Sequence, residues 1–275
     1  MPSSFVALMA LTSLVIVGCT EVYPKLDPAN PGHVGSANAW PSAPKVGWSL
    51  KLANSPSSDA AVVGDYWLMG AGSQLVALPR NPVAGKQWET ELQHPLVGRF
   101  IVKTDELVSL DSRGNLLGLN PETGAQIWLL KPLEPFLGAP AFDSDYFYVG
   151  TSGGEIVAVD RAEHEERWRV RTAGMVMATP NVLDGVLYFG SADGSVYALE
   201  TSSARMLWSA AGGGAITSEL AVDSALVYVG SNDGVLRALS RESGDLRWSN
   251  TVSTPAGPPL LTEGGAVIYA GTNGE

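Results

Sequence analysis

From Val46 to Glu275 the chain is written as short apolar runs broken by Gly, Asp, Asn and Pro. Tyr148-Val149-Gly150-Thr151-Ser152-Gly153-Gly154 leads into Ile156-Val157-Ala158-Val159. The same form returns in Tyr188-Phe189-Gly190-Ser191-Ala192-Asp193-Gly194 with Val196-Tyr197-Ala198-Leu199, and in Tyr228-Val229-Gly230-Ser231-Asn232-Asp233-Gly234 with Val235-Leu236-Arg237-Ala238-Leu239. Paired runs rich in β-branched and aromatic residues, joined through Asp-Gly or Gly-Gly, predict hairpins, and type I′ turns are expected at Asp193-Gly194 and Asp233-Gly234. No segment places apolar residues at i, i+3, i+4 and i+7, so helices are not expected.

A tryptophan closes each unit. Trp48, Trp88, Trp128, Trp168, Trp208 and Trp248 follow one another at intervals of 40 residues. Each unit then has one strand after the tryptophan, often ending near a proline such as Pro140 or Pro180, two hairpin strands, and a strand that carries the next tryptophan. Four antiparallel strands in about 40 residues make the blade of a β-propeller. The predicted fold is all-β, with about six blades: five whole repeats, and a sixth beginning at Ser249 whose second strand is Ala266–Ala270 and which lacks its third.

The segment Gly118-Leu119-Asn120-Pro121-Glu122-Thr123-Gly124-Ala125-Gln126-Ile127-Trp128 has a physical reading. A small residue ends the third strand, Asn-Pro starts a turn, Thr-Gly supplies tolerance of positive φ, and the indole fills the gap to a neighbouring blade. Other copies are looser: His164 and Ala204 stand where Gly124 stands, Gly244 keeps the glycine, and the copy from Ala77 to Trp88 is one residue longer. The pattern Ala-x-Asp-x-x-Thr-Gly-x-x-x-Trp resembles the tryptophan-docking repeat of PQQ-like propellers, a group that contains quinoprotein alcohol dehydrogenases and the outer-membrane assembly factor BamB. The resemblance covers about Val46 to Glu275 and is specific for fold, weak for function. It implies an eight-bladed ring, of which this chain would be an open, C-terminally incomplete arc. The alternative is a closed six-bladed ring with an edge left open.

The front of the chain adds an address. Phe5 to Val17 is uninterrupted by charge, too short to span a bilayer comfortably and of the length of a signal-peptide core. Cys19, the one cysteine, follows Gly18 and resembles a lipobox cysteine that takes a diacylglycerol; Thr20 after it implies outer-membrane delivery. The alternative is an ordinary secretory signal with an incidental cysteine. Met1 to Ser4 lacks the expected Lys or Arg, a departure that points to a start upstream. Residues 20–44 hold Pro24, Pro28, Pro31, Pro41 and Pro44 and read as a tether; a flexible chain of that length spans roughly 25 to 30 Å. The expected organisation is a signal peptide at 1–18, a tether at 19–44 and the propeller at 45–275.

Charge narrows the partners. The net charge is −11, with no charged residue among the first 18, so phosphate backbones and anionic lipid heads are repelled and nucleic acid is not an expected partner.

Candidate catalytic motifs are weak. Gly150-Thr151-Ser152-Gly153-Gly154 matches G-x-S-x-G, but falls in a hairpin, where the nucleophile elbow needs a strand-to-helix turn. His33, His94 and His164 have no metal-ligand spacing, and turn geometry accounts for Asp193 and Asp233 better than calcium does. The adjacent-cysteine pair that the quinoprotein resemblance implies is absent. No catalytic residue, metal or cofactor is therefore expected.

Two features suit a protein partner. Leu133, Phe136 and Leu137 lie in a proline-rich connection between blades, though they could instead fold over the blade ends. Arg167, Arg169 and Arg171 alternate along one tryptophan strand, where charge could equally serve to block sheet-to-sheet association. The connection Arg171 to Thr179 lacks the Leu and Arg positions by which BamB-like proteins contact the barrel-assembly protein, so no binding residue carries over. The expectation is a non-enzymatic, lipid-anchored scaffold facing the periplasm, BamB-like in outer-membrane β-barrel assembly, with protein partners and membrane contact through its lipid alone. A truncated PQQ-dependent quinoprotein dehydrogenase and a generic cell-envelope binding propeller are the alternatives.

Overall fold

The runs of β-branched and aromatic residues form strands throughout, arranged as five four-stranded antiparallel blades and part of a sixth. The computed structural model describes residues 5–10, 13–18, 54–79, 88–103, 105–251, 257–262 and 267–269. Cys19, the tether 20–44 with His33, and Trp48 lie outside the described residues. Phe5–Ala10 and Ser13–Gly18 pair as a separate hairpin where the signal-peptide core is expected. Among the described residues no helix is long and apolar enough to cross a membrane.

Blade 1 consists of Pro56–Val63, Tyr66–Ala71, Gln74–Pro79 and Trp88–Glu91. Blade 2 runs Leu96–Val102, Leu107–Asp111, Leu116–Leu119 and Gln126–Leu130, and blade 3 runs Phe136–Phe142, Tyr146–Thr151, Glu155–Asp160 and Glu166–Arg171. Blade 4 has Asn181–Leu183, Val186–Gly190, Ser195–Glu200 and Met206–Ala211; blade 5 has Ala221–Val222, Leu226–Ser231, Val235–Ser240 and Leu246–Thr251. Leu260–Leu261 and Val267–Ile268 begin the sixth. The first strands of blades 1 and 2 come close enough for a parallel pairing at Ser58 and Gly98, which merges these two blades into one eight-stranded sheet.

In blade 3 the second and third strands are buried on both faces, because the blade is sandwiched between blades 2 and 4. The apolar clusters accordingly lie between blades. Ile101, Val108, Leu110 and Leu116 of blade 2 pack on Phe136, Phe147, Val149, Val157 and Val159 of blade 3. Tyr188, Val196 and Trp208 of blade 4 pack on Val227, Val229 and Leu239 of blade 5.

The tryptophans reach across these boundaries. Trp88 lies against Gly124 of the next blade, and Trp208 against Gly244, each so close that a Cβ on the glycine would collide with the indole. The Trp168 indole N–H donates to the Thr201 carbonyl at 3.2 Å, and that of Trp208 to the Arg241 carbonyl at 3.0 Å. The turn residue that receives the indole has positive φ in each of the four described copies: Gly124 at 71°, His164 at 57°, Ala204 at 58° and Gly244 at 76°. A bulge sits just before each tryptophan in blades 2 to 5, so that one residue, such as Arg167 opposite the Ala158/Val159 step, has no partner across the ladder.

The turn type differs from expectation at Asp193-Gly194 and Asp233-Gly234. A type I′ turn needs positive φ at both central residues, yet only Gly194 and Gly234 adopt it; the positive non-glycine residues among those described are His164, Asp184 and Ala204. Gly194 N–H donates to the Ser191 carbonyl, and Ser191 N–H to that of Ser195, both at 3.0 Å, the pattern of a three-residue loop in which a turn is followed by a glycine bulge. Asp184-Gly185, between Leu183 and Val186, is the pair that has positive φ at both residues.

Two stability measurements follow from the joints. Trp208 is 9% exposed and Trp248 is 39% exposed; Trp208→Ala is expected to lower the unfolding free energy in urea by about 3–5 kcal/mol, and Trp248→Ala by clearly less. Ala204→Gly removes a Cβ from a left-handed residue and should raise stability by about 0.5–1 kcal/mol. A loss on that change would mean the methyl packs better than the strained backbone costs.

Candidate functional site

Antiparallel connectivity puts the tips between second and third strands on the same rim as the connections that lead from blade to blade. One hydrogen bond locks each tip to the connection entering its blade: Ser112 N to Pro95 O at 2.8 Å, Ser152 to Pro135 at 3.1 Å, Ala192 to Met175 at 2.8 Å and Asn232 to Ala215 at 3.0 Å. Loops held by repeated main-chain bonds on a packed scaffold present their outward side chains in fixed positions. This is the connection rim. The opposite, docking rim carries the turns that receive the tryptophans.

On the connection rim the structure separates the three apolar candidates. Leu133 is 88% exposed, Leu137 is half-buried, and Phe136 is 4% exposed in the cluster between blades 2 and 3. Phe136 is thus a core residue and is corrected from its place among the contact candidates; it begins a strand, and its side chain turns inward. Two residues outside those candidates are also on the surface. Met175 and Met177, in the connection from blade 3 to blade 4, are 44% and 39% exposed, while Val176 and Ala178 between and after them are buried. All four residues are apolar, so the sequence carries no signal for which of them face outward.

The three arginines do not act as one face. Arg167, at the bulge, pairs with Asp160 and Glu163 at 3.0 Å each. The Asp160 hydrogen bond and these carboxylates hold its pKa above the ordinary value, and main-chain N–H groups of Glu163 and Ala162 lower that of Asp160. Arg169 bridges Glu166 and Glu155, the latter at 2.7 Å. Arg171, opposite Glu155, has no carboxylate in ion-pair reach among the described residues.

The docking rim holds a charged joint between blades 2 and 3. Blade 2 has Gly118 opposite its tryptophan, where blades 3, 4 and 5 have Ala158, Ala198 and Ala238. The missing methyl leaves room for the Glu106 carboxylate, which accepts from the Trp128 indole N–H and from Lys103 Nζ at 2.6 Å. His164 then stacks on Trp128, with centroids 4.2 Å apart and planes 17° apart. Its Nε2 is 4.0 Å from Glu106. Burial lowers the His164 pKa, Lys103 adds to that, and the attraction of Glu106 and Asp160 opposes it.

The weaker chemical candidates resolve simply. Ser152 lies in a turn between antiparallel strands, with its N–H on Pro135. The Asp193 carboxylate accepts from Tyr197 Oη at 2.7 Å and Ala173 N at 3.0 Å, and Asp233 pairs with Arg237 at 2.6 Å. Among the described residues no three His, Cys, Asp or Glu side chains converge on a metal position. A further ion pair, Arg99 with Glu219 at 2.8 Å, ties the first strand of blade 2 to the segment entering blade 5.

A family model described as outer membrane protein assembly factor BamB matches residues 112–274. The crystal structure of BamB from Moraxella catarrhalis superposes with a TM-score of 0.68 at 20% identity, covering 84% of this chain and 78% of that one. The computationally designed Ika8 protein superposes with a TM-score of 0.67 at 17% identity, covering 80% and 69%. No curated protein matches the sequence. At these identities the two structures establish the fold.

The His164 joint gives a pH dependence with a definite sign. Because the folded pKa lies below that of the unfolded chain, the unfolded state binds the proton first as pH falls through about 6.5, and stability is lost from there down to the folded pKa. Thermal unfolding followed at pH 7.5 and 5.5 should show a larger acid-side drop for the parent chain than for His164→Gln. Equal drops would remove His164 from the joint's energetics.

Proposed function

The chain belongs to the family of the outer membrane protein assembly factor BamB, and we propose that it is a non-enzymatic propeller scaffold that binds protein partners in outer-membrane β-barrel assembly. The observation that carries this reading is the family match over residues 112–274. The connection rim supports it with Leu133 exposed and with Met175 and Met177 held outward beside the buried Val176 and Ala178. Exposed thioethers and a leucine on a fixed backbone suit a protein interface, because methionine adapts its shape to what covers it.

In this reading Cys19 carries the lipid, residues 20–44 are the leash, and the propeller faces the periplasm from the outer membrane. A lipid chain contributes about 0.8 kcal/mol per buried CH₂, so several acyl chains on one terminus hold the protein at the membrane. The competing enzymatic reading is a PQQ-dependent dehydrogenase. Its expected adjacent cysteines are not in the sequence, which has one cysteine in all.

The test is isolation from detergent-solubilised membranes of a cell that makes the protein, with mass spectrometry of what accompanies it. Barrel-assembly subunits are the expected company, and Leu133→Asp with Met175→Asp should cut their recovery at least tenfold while leaving the thermal unfolding midpoint within a few degrees. Recovery of no such subunit, or quinone absorbance in the purified protein, would overturn the scaffold reading.

A further inference from the structure

Blades 3 and 5 carry the same arginine in two different electrostatic settings. Arg167 and Arg247 each stand at the bulge just before a tryptophan, 80 residues apart. Arg167 is neutralised by Asp160 and Glu163. The residues 80 positions on are Ser240 and Ser243. Ser240 Oγ accepts from Arg247 at 3.1 Å, and Ser243 donates instead to Asp245 at 2.6 Å. Among the described residues no carboxylate lies within ion-pair distance of Arg247, so an exposed guanidinium with five N–H donors makes one recorded bond, to a neutral hydroxyl.

This arginine borders a groove of about 670 Å³ on the docking rim between blades 4 and 5. Val186 and Leu207 of blade 4 and Leu226 of blade 5 supply its apolar walls, and Tyr188 and Ser240 are also on the lining. Leu207 is 39% exposed there. The other lining cation, Arg241, is committed to the fold: it donates to Tyr188 Oη at 3.1 Å, pairs with Asp184 at 2.6 Å, and its carbonyl accepts the Trp208 indole N–H. Glu242, the acid on the lining, is beyond ion-pair distance of both arginines. The groove therefore offers one uncompensated cation beside aliphatic walls.

We propose that this groove binds a segment of another protein that brings a carboxylate side chain to Arg247 and aliphatic neighbours to Val186, Leu207 and Leu226. The ligand carboxylate takes the place that Asp160 holds at Arg167 inside blade 3. An Arg–carboxylate pair is geometrically specific, and the apolar walls favour an acid set in an aliphatic sequence over a free small anion. The inference does not depend on the barrel-assembly reading, since it arises from the difference between two repeats.

The experiment uses the full chain and the capped peptide acetyl-Leu-Glu-Val-Leu-amide, whose one carboxylate is the glutamate side chain. The Trp208 indole N–H resonance, bonded to the Arg241 carbonyl, reports binding by NMR titration. The Glu peptide is expected to shift it, with the Gln analogue and sodium acetate at least tenfold weaker. Arg247→Ala should weaken the Glu peptide at least tenfold, and so should Ser240→Asp, which builds the blade 3 carboxylate into blade 5. Arg205→Ala, at an exposed arginine already paired with Glu200, should leave binding unchanged. Equal binding of Glu and Gln peptides, acetate as strong as the peptide, or full binding to a Ser240→Asp protein with an unchanged indole spectrum would each overturn the proposal.

Discussion

An indole lodged against the turn of the next blade is the contact on which the architecture rests. A single blade buries its middle strands only when another sheet covers each face, so the apolar clusters run from blade to blade. The tryptophan fixes how far apart and at what rotation neighbouring sheets stand, because its ring fills the gap and its N–H reaches a carbonyl in blades 3 and 4. The receiving residue must turn through positive φ to clear the ring. At Gly124 and Gly244 that conformation is free of steric cost. His164 offsets its cost by stacking on Trp128, and Ala204 has no ring to offset with. Stability then adds up joint by joint along the array, as in other repeat proteins.

Packing between blades leaves the two rims chemically independent of the core. On the connection rim the repeated bonds from tip to connection use up main-chain groups and leave side chains free to vary. Leu133, Met175 and Met177 point outward there at no cost to the clusters beneath them. The docking rim is more constrained, since its turns between third and fourth strands also receive an indole. Variation on that side shows up as exchanged charges, such as Glu106 under Trp128 or Ser240 beside Arg247.

Much of this was legible in the chain. The 40-residue tryptophan period and the paired apolar runs located the blades, because strand alternation and turn chemistry are local. The turn type at Asp193-Gly194 is not local: Asp-Gly marks a turn, but whether φ is positive at one residue or two depends on how many residues the ladder leaves unpaired, which only pairing reveals. The burial of Phe136 is hidden for a related reason. This residue is the first of its strand, and nothing in Pro135-Phe136-Leu137 says which of two neighbouring apolar side chains turns inward. The arginine strand read as a regular alternation because a bulge leaves no mark in sequence.

Repetition supplies what a single fold lacks, an internal reference for each position. A departure that the structure compensates belongs to the fold: Gly118 in place of alanine is matched by the Glu106 carboxylate that fills its space and binds the indole. A departure left uncompensated is different in kind. Replacing two acids by Ser240 and Ser243 while keeping Arg247 leaves a cation whose partner in blade 3 came from the chain itself. Surface ion pairs are worth little to stability, so their loss costs the fold almost nothing and frees the arginine for another use. By that argument the positions to search for function in a propeller are those where one half of a repeated pair persists without the other.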